Sequence, residues 1–62
     1  MTGKELLSRL KKDGWELDRT QGSHHIMRKD GYKIVSIPIH AGKDLPTGTL
    51  NKLLKDTGLK GG

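Results

Sequence analysis

The chain has no cysteine and no phenylalanine, and its 62 residues include only two prolines, one tryptophan and one tyrosine. Without cysteine there is no disulfide framework and no thiolate metal site. No apolar run approaches the roughly 18 residues that a membrane span needs, and the start of the chain lacks the pattern of a signal peptide. We therefore expect a cytoplasmic protein that does not enter a membrane.

The short length limits the hydrophobic core. A chain of this size buries only roughly 60% of the surface that its unfolded form exposes. Because phenylalanine is absent, the core must come from aliphatic side chains and Trp15. We expect a single domain over residues 1–62, in which residues 60–62, Lys-Gly-Gly, form a frayed tail.

The charge is unbalanced, with 12 basic and 7 acidic side chains and a formal net charge of +5. A basic surface favours a polyanionic partner, either a nucleic acid or an acidic protein. Many small soluble domains are basic for solubility alone, so the charge does not decide among these explanations.

The first helix has signals at both ends. Thr2 and Glu5 have the spacing of a capping box. Leu6, Leu7 and Leu10 follow at helical spacing on one face, and Gly14 suits the left-handed position after a helix. This pattern predicts a helix over residues 3–13, with Trp15 folding back onto it.

The middle of the chain has the alternation and turns of a β-meander. Gln21-Gly22 is a candidate hairpin turn, and Asp30-Gly31 is a strong two-residue turn signal. Pro38 lies near the end of the last segment, which is typical of an edge strand or a strand end. The predicted strands cover residues 15–20, 24–29 and 32–39.

A second helix begins near Pro46, with either Pro46 in the first turn or Thr47 as the cap. Leucines 50, 53 and 54 form its apolar face, and Gly58 followed by Leu59 repeats the ending of the first helix. The resulting order, αβββα, predicts an α+β fold with a three-stranded antiparallel sheet and both helices on one face.

Two-residue turns would also fix the strand register. They place Ile26 opposite Leu17 and Val35, and His24 opposite Arg19 and Ile37. His24 then lies at the end of the core side, whereas His25 and Met27 lie on the open side. An error of one residue in either turn would reverse the faces of one strand.

His24 is the sharpest candidate for chemistry. At the rim of a core face, an imidazole is partly desolvated and held in one orientation, and its ordinary pKa of about 6.5 suits proton transfer near neutral pH. The alternative is a strand-end histidine that only fills the core rim. His25 points away and is most simply a surface or base-stacking residue.

The residues around His24 allow two interpretations each. Gly22 and Ser23 are either turn residues only or a place where a phosphate comes close and accepts a hydrogen bond. His40 and Lys43 are either solvated loop residues or part of an anion site before the second helix. We expect no metal, since His24 and His25 point to opposite faces and no acidic cluster completes a site.

Several segments together resemble the HicA toxin family of bacterial toxin–antitoxin systems. The opening Lys-x-Leu-Leu-x-x-Leu-x-x-Asp-Gly-Trp (residues 4–15) matches the family's first helix. The later matches are Gly22-Ser23-His24, Ile37-Pro38-Ile39-His40, Gly42-Lys43-Asp44-Leu45-Pro46 and Gly48-Thr49-Leu50. The resemblance covers nearly the whole chain and implies a fold similar to the double-stranded RNA-binding domain.

The resemblance also implies a function. It implies a ribonuclease that cleaves mRNA and arrests translation, a HicB antitoxin that covers the active site, and catalysis by the histidine after Gly-Ser, which is His24. Helix two shows no clear lysine cluster, which favours single-stranded RNA over a duplex. The alternatives are a non-catalytic RNA-binding module and a small protein that docks only an acidic partner.

Overall fold

The computed structural model describes residues 1–59 as one three-stranded antiparallel sheet and two helices. The strands are ordered β1-β2-β3 in the sheet, so β2 is central and the other two are edges. In chain order the elements are α1 (Gly3–Lys12), β1 (Glu16–Gln21), β2 (His24–Arg28), β3 (Val35–Pro38) and α2 (Thr47–Thr57). The predicted αβββα order is confirmed. The prediction of a frayed tail at residues 60–62 lies outside the described residues.

The predicted signals delimit α1. The Thr2 backbone N–H donates to Glu5 Oε1 at 2.8 Å, and the Glu5 backbone N–H donates to Thr2 Oγ1 at 3.1 Å. At the other end Gly14 adopts a φ of +97°, which lets the Trp15 N–H reach the Leu10 carbonyl at 2.9 Å. Trp15 is consequently folded back and buried.

At the start of α2, neither of the two predicted arrangements is found. Thr47 is the first helical residue, and Pro46 occupies the N-cap position without a side-chain capping bond. The helix ends at Gly58, whose φ of +70° is left-handed as expected. In the last turn, the buried Thr57 hydroxyl donates to the Leu53 carbonyl at 2.7 Å.

The core lies between the helices and one face of the sheet. From β2 and β3 it takes Met27, Val35 and Ile37, and Met27 and Ile37 are fully buried. The helices and loops contribute Leu6, Leu7, Leu10, Trp15, Leu45 and Leu53. The opposite face of the sheet has no helix over it within the described residues, and we call it the open face.

The predicted register is wrong by one residue in β2. Met27, not Ile26, stands between Leu17 and Val35. Met27 therefore points into the core, and Ile26 lies on the open face, opposite Arg19. The same shift exchanges the faces predicted for the two histidines of this strand.

In the pairing of β2 with β3, the shift of one residue arises in the connection between these strands. The expected turn forms at Asp30-Gly31, with the Tyr32 N–H donating to the Lys29 carbonyl at 3.0 Å. The strand does not resume there. At this point the Tyr32 ring packs against Trp15, with centroids 5.5 Å apart. Strand β3 starts only at Val35, three residues later than predicted. Val35 pairs with Met27 and not with Ile26, which is a shift of one residue.

In the pairing of β1 with β2, the shift of one residue arises from a β-bulge in β1. The first hairpin turns at Gly22-Ser23, with Gln21 opposite His24, and not at Gln21-Gly22. The register shifts between Leu17 and Arg19, which leaves Asp18 as the extra residue. Leu17 thus shares the helix-covered face with Met27, whereas Arg19 lies on the open face.

Within residues 1–59, neither helix has the length and apolar character that crossing a membrane requires.

Candidate active site

His24 is the first residue of β2 and follows the Gly22-Ser23 turn directly. Its partners across the sheet are Gln21 on β1 and Pro38 on β3, and its side chain is exposed. The prediction that it lies at the rim of the core is wrong, because the register shift moves it to the open face. A polymeric substrate passing over this face can reach the imidazole.

The turn before His24 is shaped by backbone conformation. Gly22 has a φ of +58°, which side chains other than glycine's adopt with strain. A Cβ on Gly22 would have no atom within 4 Å, so the φ angle and not a close contact favours glycine here. The Ser23 carbonyl accepts the Ile39 N–H at 2.7 Å, and the Ser23 side chain is exposed.

A second turn approaches the same end of the sheet. Ile39 is hydrogen-bonded to Ser23, so the next residue, His40, lies beside the first hairpin. The second turn begins at His40. The Lys43 N–H donates to the His40 carbonyl at 3.0 Å, and Gly42 has a φ of +68°. The structure therefore brings Ser23, His24 and His40 to one end of the sheet, with Lys43 at the far end of the second turn.

His25, and not His24, lies on the core side of the sheet. It stands between Thr20 and Ile37 on the helix-covered face and is half-buried. Its Nδ1 is buried and has no hydrogen-bond partner. His25 is therefore part of the packing and does not face a substrate on the open side.

Arg19 is a polar residue on the open face that the sequence analysis did not include in the site. It stands opposite Ile26, two residues along β1 from the partner of His24. Its Nη1 donates to Asp18 Oδ2 at 2.7 Å, and its side chain is 58% exposed. Strict alternation along β1 would have placed Arg19 on the same face as Leu17. The bulge, which the sequence pattern does not show, is what puts Arg19 on the open face.

One surface recess lies away from His24. A cavity of about 440 Å³ is lined by Gly14, Glu16, Arg28, Lys29 and Asp30, at the opposite end of β2. The open face is the better candidate for an active site, because proton transfer needs a titratable group that a substrate can reach. Within residues 1–59, no three histidine, aspartate or glutamate side chains cluster closely enough to hold a metal ion.

Comparison with known proteins gives one family match. The model of the family described as "HicA toxin of bacterial toxin-antitoxin" matches residues 3–59 of the 62-residue chain. No curated protein matches the chain. The matched region contains every element of the fold and all the residues discussed at the end of the sheet.

Proposed function

Because the chain belongs to the HicA toxin family of bacterial toxin–antitoxin systems, we propose that it is an endoribonuclease that cleaves mRNA and inhibits translation. Family membership gives the toxin role and implies an antitoxin partner. The endoribonuclease activity, the RNA substrate and the roles of individual residues are our proposal.

The position of His24 carries the proposal. It follows Gly22-Ser23, as the catalytic histidine does in the family it resembles, and it stands exposed on the side of the sheet away from the core. The ordinary pKa of a histidine lies close to neutral pH, so its imidazole can both accept and return a proton. The net charge of +5 favours a polyanionic substrate.

RNA carries its own nucleophile. In the proposed step, His24 accepts the proton of a 2′-hydroxyl, and the 2′-oxygen forms a bond to the adjacent phosphorus. The bond from phosphorus to the 5′-oxygen breaks, and that oxygen takes up a proton. The products are a 2′,3′-cyclic phosphate and a 5′-hydroxyl. General acid–base help of this kind contributes roughly 10²–10⁴-fold.

The residues near His24 are candidates for supporting roles. His40 or Lys43 can protonate the leaving oxygen or bind the phosphate, and the Ser23 hydroxyl can donate to it. Gly22 leaves the turn free of a side chain, so a phosphate can approach the backbone there. These roles fit exposed groups that surround one end of the sheet.

The partners follow from the same proposal. The RNA is single-stranded, because α2 has no clear lysine cluster of the kind that a duplex contact would need. The antitoxin is a HicB-type protein that covers the open face around His24. Both encounters take place in the cytoplasm, where mRNA is translated.

The test is cleavage of a defined single-stranded RNA by the purified protein in the presence of EDTA. We expect the parent to cleave the RNA and His24→Ala to lose roughly 10²–10⁴-fold in rate. Because His24 is exposed, the variant should keep the parent's melting temperature. His25→Leu is the matched control, since it removes the adjacent imidazole from the opposite face.

The outcomes separate the candidate functions. Cleavage by the parent and the His25 variant, but not by His24→Ala, supports the proposal. Parental rates from His24→Ala would show that His24 is not the catalytic group. RNA binding without cleavage by the parent would favour a non-catalytic RNA-binding module, with the steep salt dependence of phosphate contacts.

A further inference from the structure

We infer that Arg19 binds the RNA phosphate that lies beside His24. This inference rests on the proposed endoribonuclease function and adds a second substrate-contacting residue to the same site. It depends on three observations: the shared face of the two side chains, the bulge that places Arg19 there, and the ion pair that orients its guanidinium.

The first observation is the register. His24 is directly opposite Gln21, and Arg19 lies two residues further along β1. Residues in this diagonal relationship share a face and are about 7–8 Å apart, within reach of long side chains. A phosphate between the two side chains can therefore contact both.

The second observation is the bulge at Asp18. Leu17 and Arg19 are two residues apart, and regular alternation would place both on one face. The extra residue breaks this alternation, so Leu17 faces the helix side and Arg19 the open side. Bulges are common beside active sites, where they redirect a side chain, and here the redirected side chain is a cation next to His24.

The third observation is the contact between Arg19 and Asp18. The Nη1–Oδ2 bond of 2.7 Å engages one donor of the guanidinium, which has five N–H donors in a planar fork. Several donors of this exposed group therefore remain for a phosphate. A guanidinium whose orientation is already restrained loses less conformational entropy when it binds.

The chemistry of the cleavage gives this cation a purpose. When the 2′-oxygen attacks, negative charge develops on the non-bridging phosphate oxygens, and a proton acceptor alone does not stabilise it. Arginine binds phosphate oxygens through two parallel N–H donors. Removing a donor aimed at such developing charge costs about 10²–10³-fold in kcat in other enzymes.

The experiment compares Arg19→Ala with Arg28→Ala under saturating single-stranded RNA. Arg28 is also on the open face of the sheet, but at the far end of β2. Both variants lose one exposed positive charge, so both should bind RNA with a similarly reduced salt dependence. Only Arg19→Ala should lose about 10²-fold in kcat. Arg19→Lys should recover part of this loss, because it keeps the charge without the planar fork.

Each outcome is decisive. A fall in kcat confined to Arg19→Ala, with an unchanged melting temperature, supports the inference. If the two alanine variants have the same kcat while the parent cleaves RNA, Arg19 does not contact the reacting phosphate and the proposed function still stands. If the parent itself does not cleave RNA, the proposed function fails and the inference fails with it.

Discussion

His24 and His25 are consecutive residues whose side chains lie on opposite faces of the central strand. His24 is exposed on the open face, whereas His25 stands between Thr20 and Ile37 with its Nδ1 buried and unpaired. The exposed imidazole is accessible for proton transfer, whereas the half-buried one takes part in the packing. Under the proposed function, variants at these two positions should therefore separate effects on activity from effects on stability.

His25→Leu should raise the free energy of unfolding by about 1 kcal/mol, because a buried polar atom without a partner costs about 1–3 kcal/mol. Leucine has a similar volume and suits the apolar neighbourhood of Ile37. Urea unfolding monitored by the fluorescence of Trp15 would measure the change. A less stable variant would contradict this account, since it would mean that the imidazole contributes a favourable polar contact.

The two glycines that lie within helices should respond oppositely to alanine. At Gly3 a Cβ would collide with the Pro38 carbonyl oxygen, and it would also meet Ile39 Cδ1 at 3.0 Å. At Gly48 a Cβ would meet no atom within 4 Å. Alanine is favoured over glycine by about 1 kcal/mol in a helix interior, which is an upper bound here because Gly3 and Gly48 lie in the first turns of their helices. Overpacking a well-filled site costs about 1–3 kcal/mol.

We therefore expect Gly3→Ala to be destabilised by up to about 2 kcal/mol, the overpacking cost less the helix preference. Gly48→Ala should be stabilised by up to about 1 kcal/mol. Thermal melts of the two variants beside the parent would measure both effects. Equal gains in stability would mean that α1 does not pack against the end of β3 as closely as described.

The capping box predicts a dependence of stability on pH. The hydrogen bond from the Thr2 backbone N–H is the largest cause that lowers the pKa of Glu5 below its ordinary value of 4.5. A carboxylate with a lowered pKa in the folded state stabilises the protein above its unfolded pKa, and this contribution is lost as the pH falls through the folded value. Glu5→Gln keeps an acceptor for the bond but removes the charge.

The parent should therefore be more stable than Glu5→Gln near pH 7, and the difference should disappear as the pH falls below about 4.5. Free energies of unfolding of both proteins between neutral and acidic pH would measure this. A difference that stays constant over that range would show that the negative charge of Glu5 does not stabilise the folded protein.

The sequence was sufficient for features whose cause is local. The capping box of Thr2 and Glu5, the left-handed glycines that follow the helices, and the periodicity of the leucines each depend on residues within a few positions of one another. Their physical origin is backbone hydrogen bonding and steric freedom, which neighbouring residues control. The element order follows from these signals, and the combination of short matching segments over nearly the whole chain identified the family.

The tertiary structure decided which side chains share a face. Tyr32 packs on Trp15 where β3 was predicted to begin, and the bulge at Asp18 shifts β1. Each changes the pairing by a single residue, and because side chains alternate with a period of two, that reverses a whole face. Contacts between distant residues determine such a shift, so the sequence gives His24 as a candidate, and only the fold places it with Arg19 on the open face.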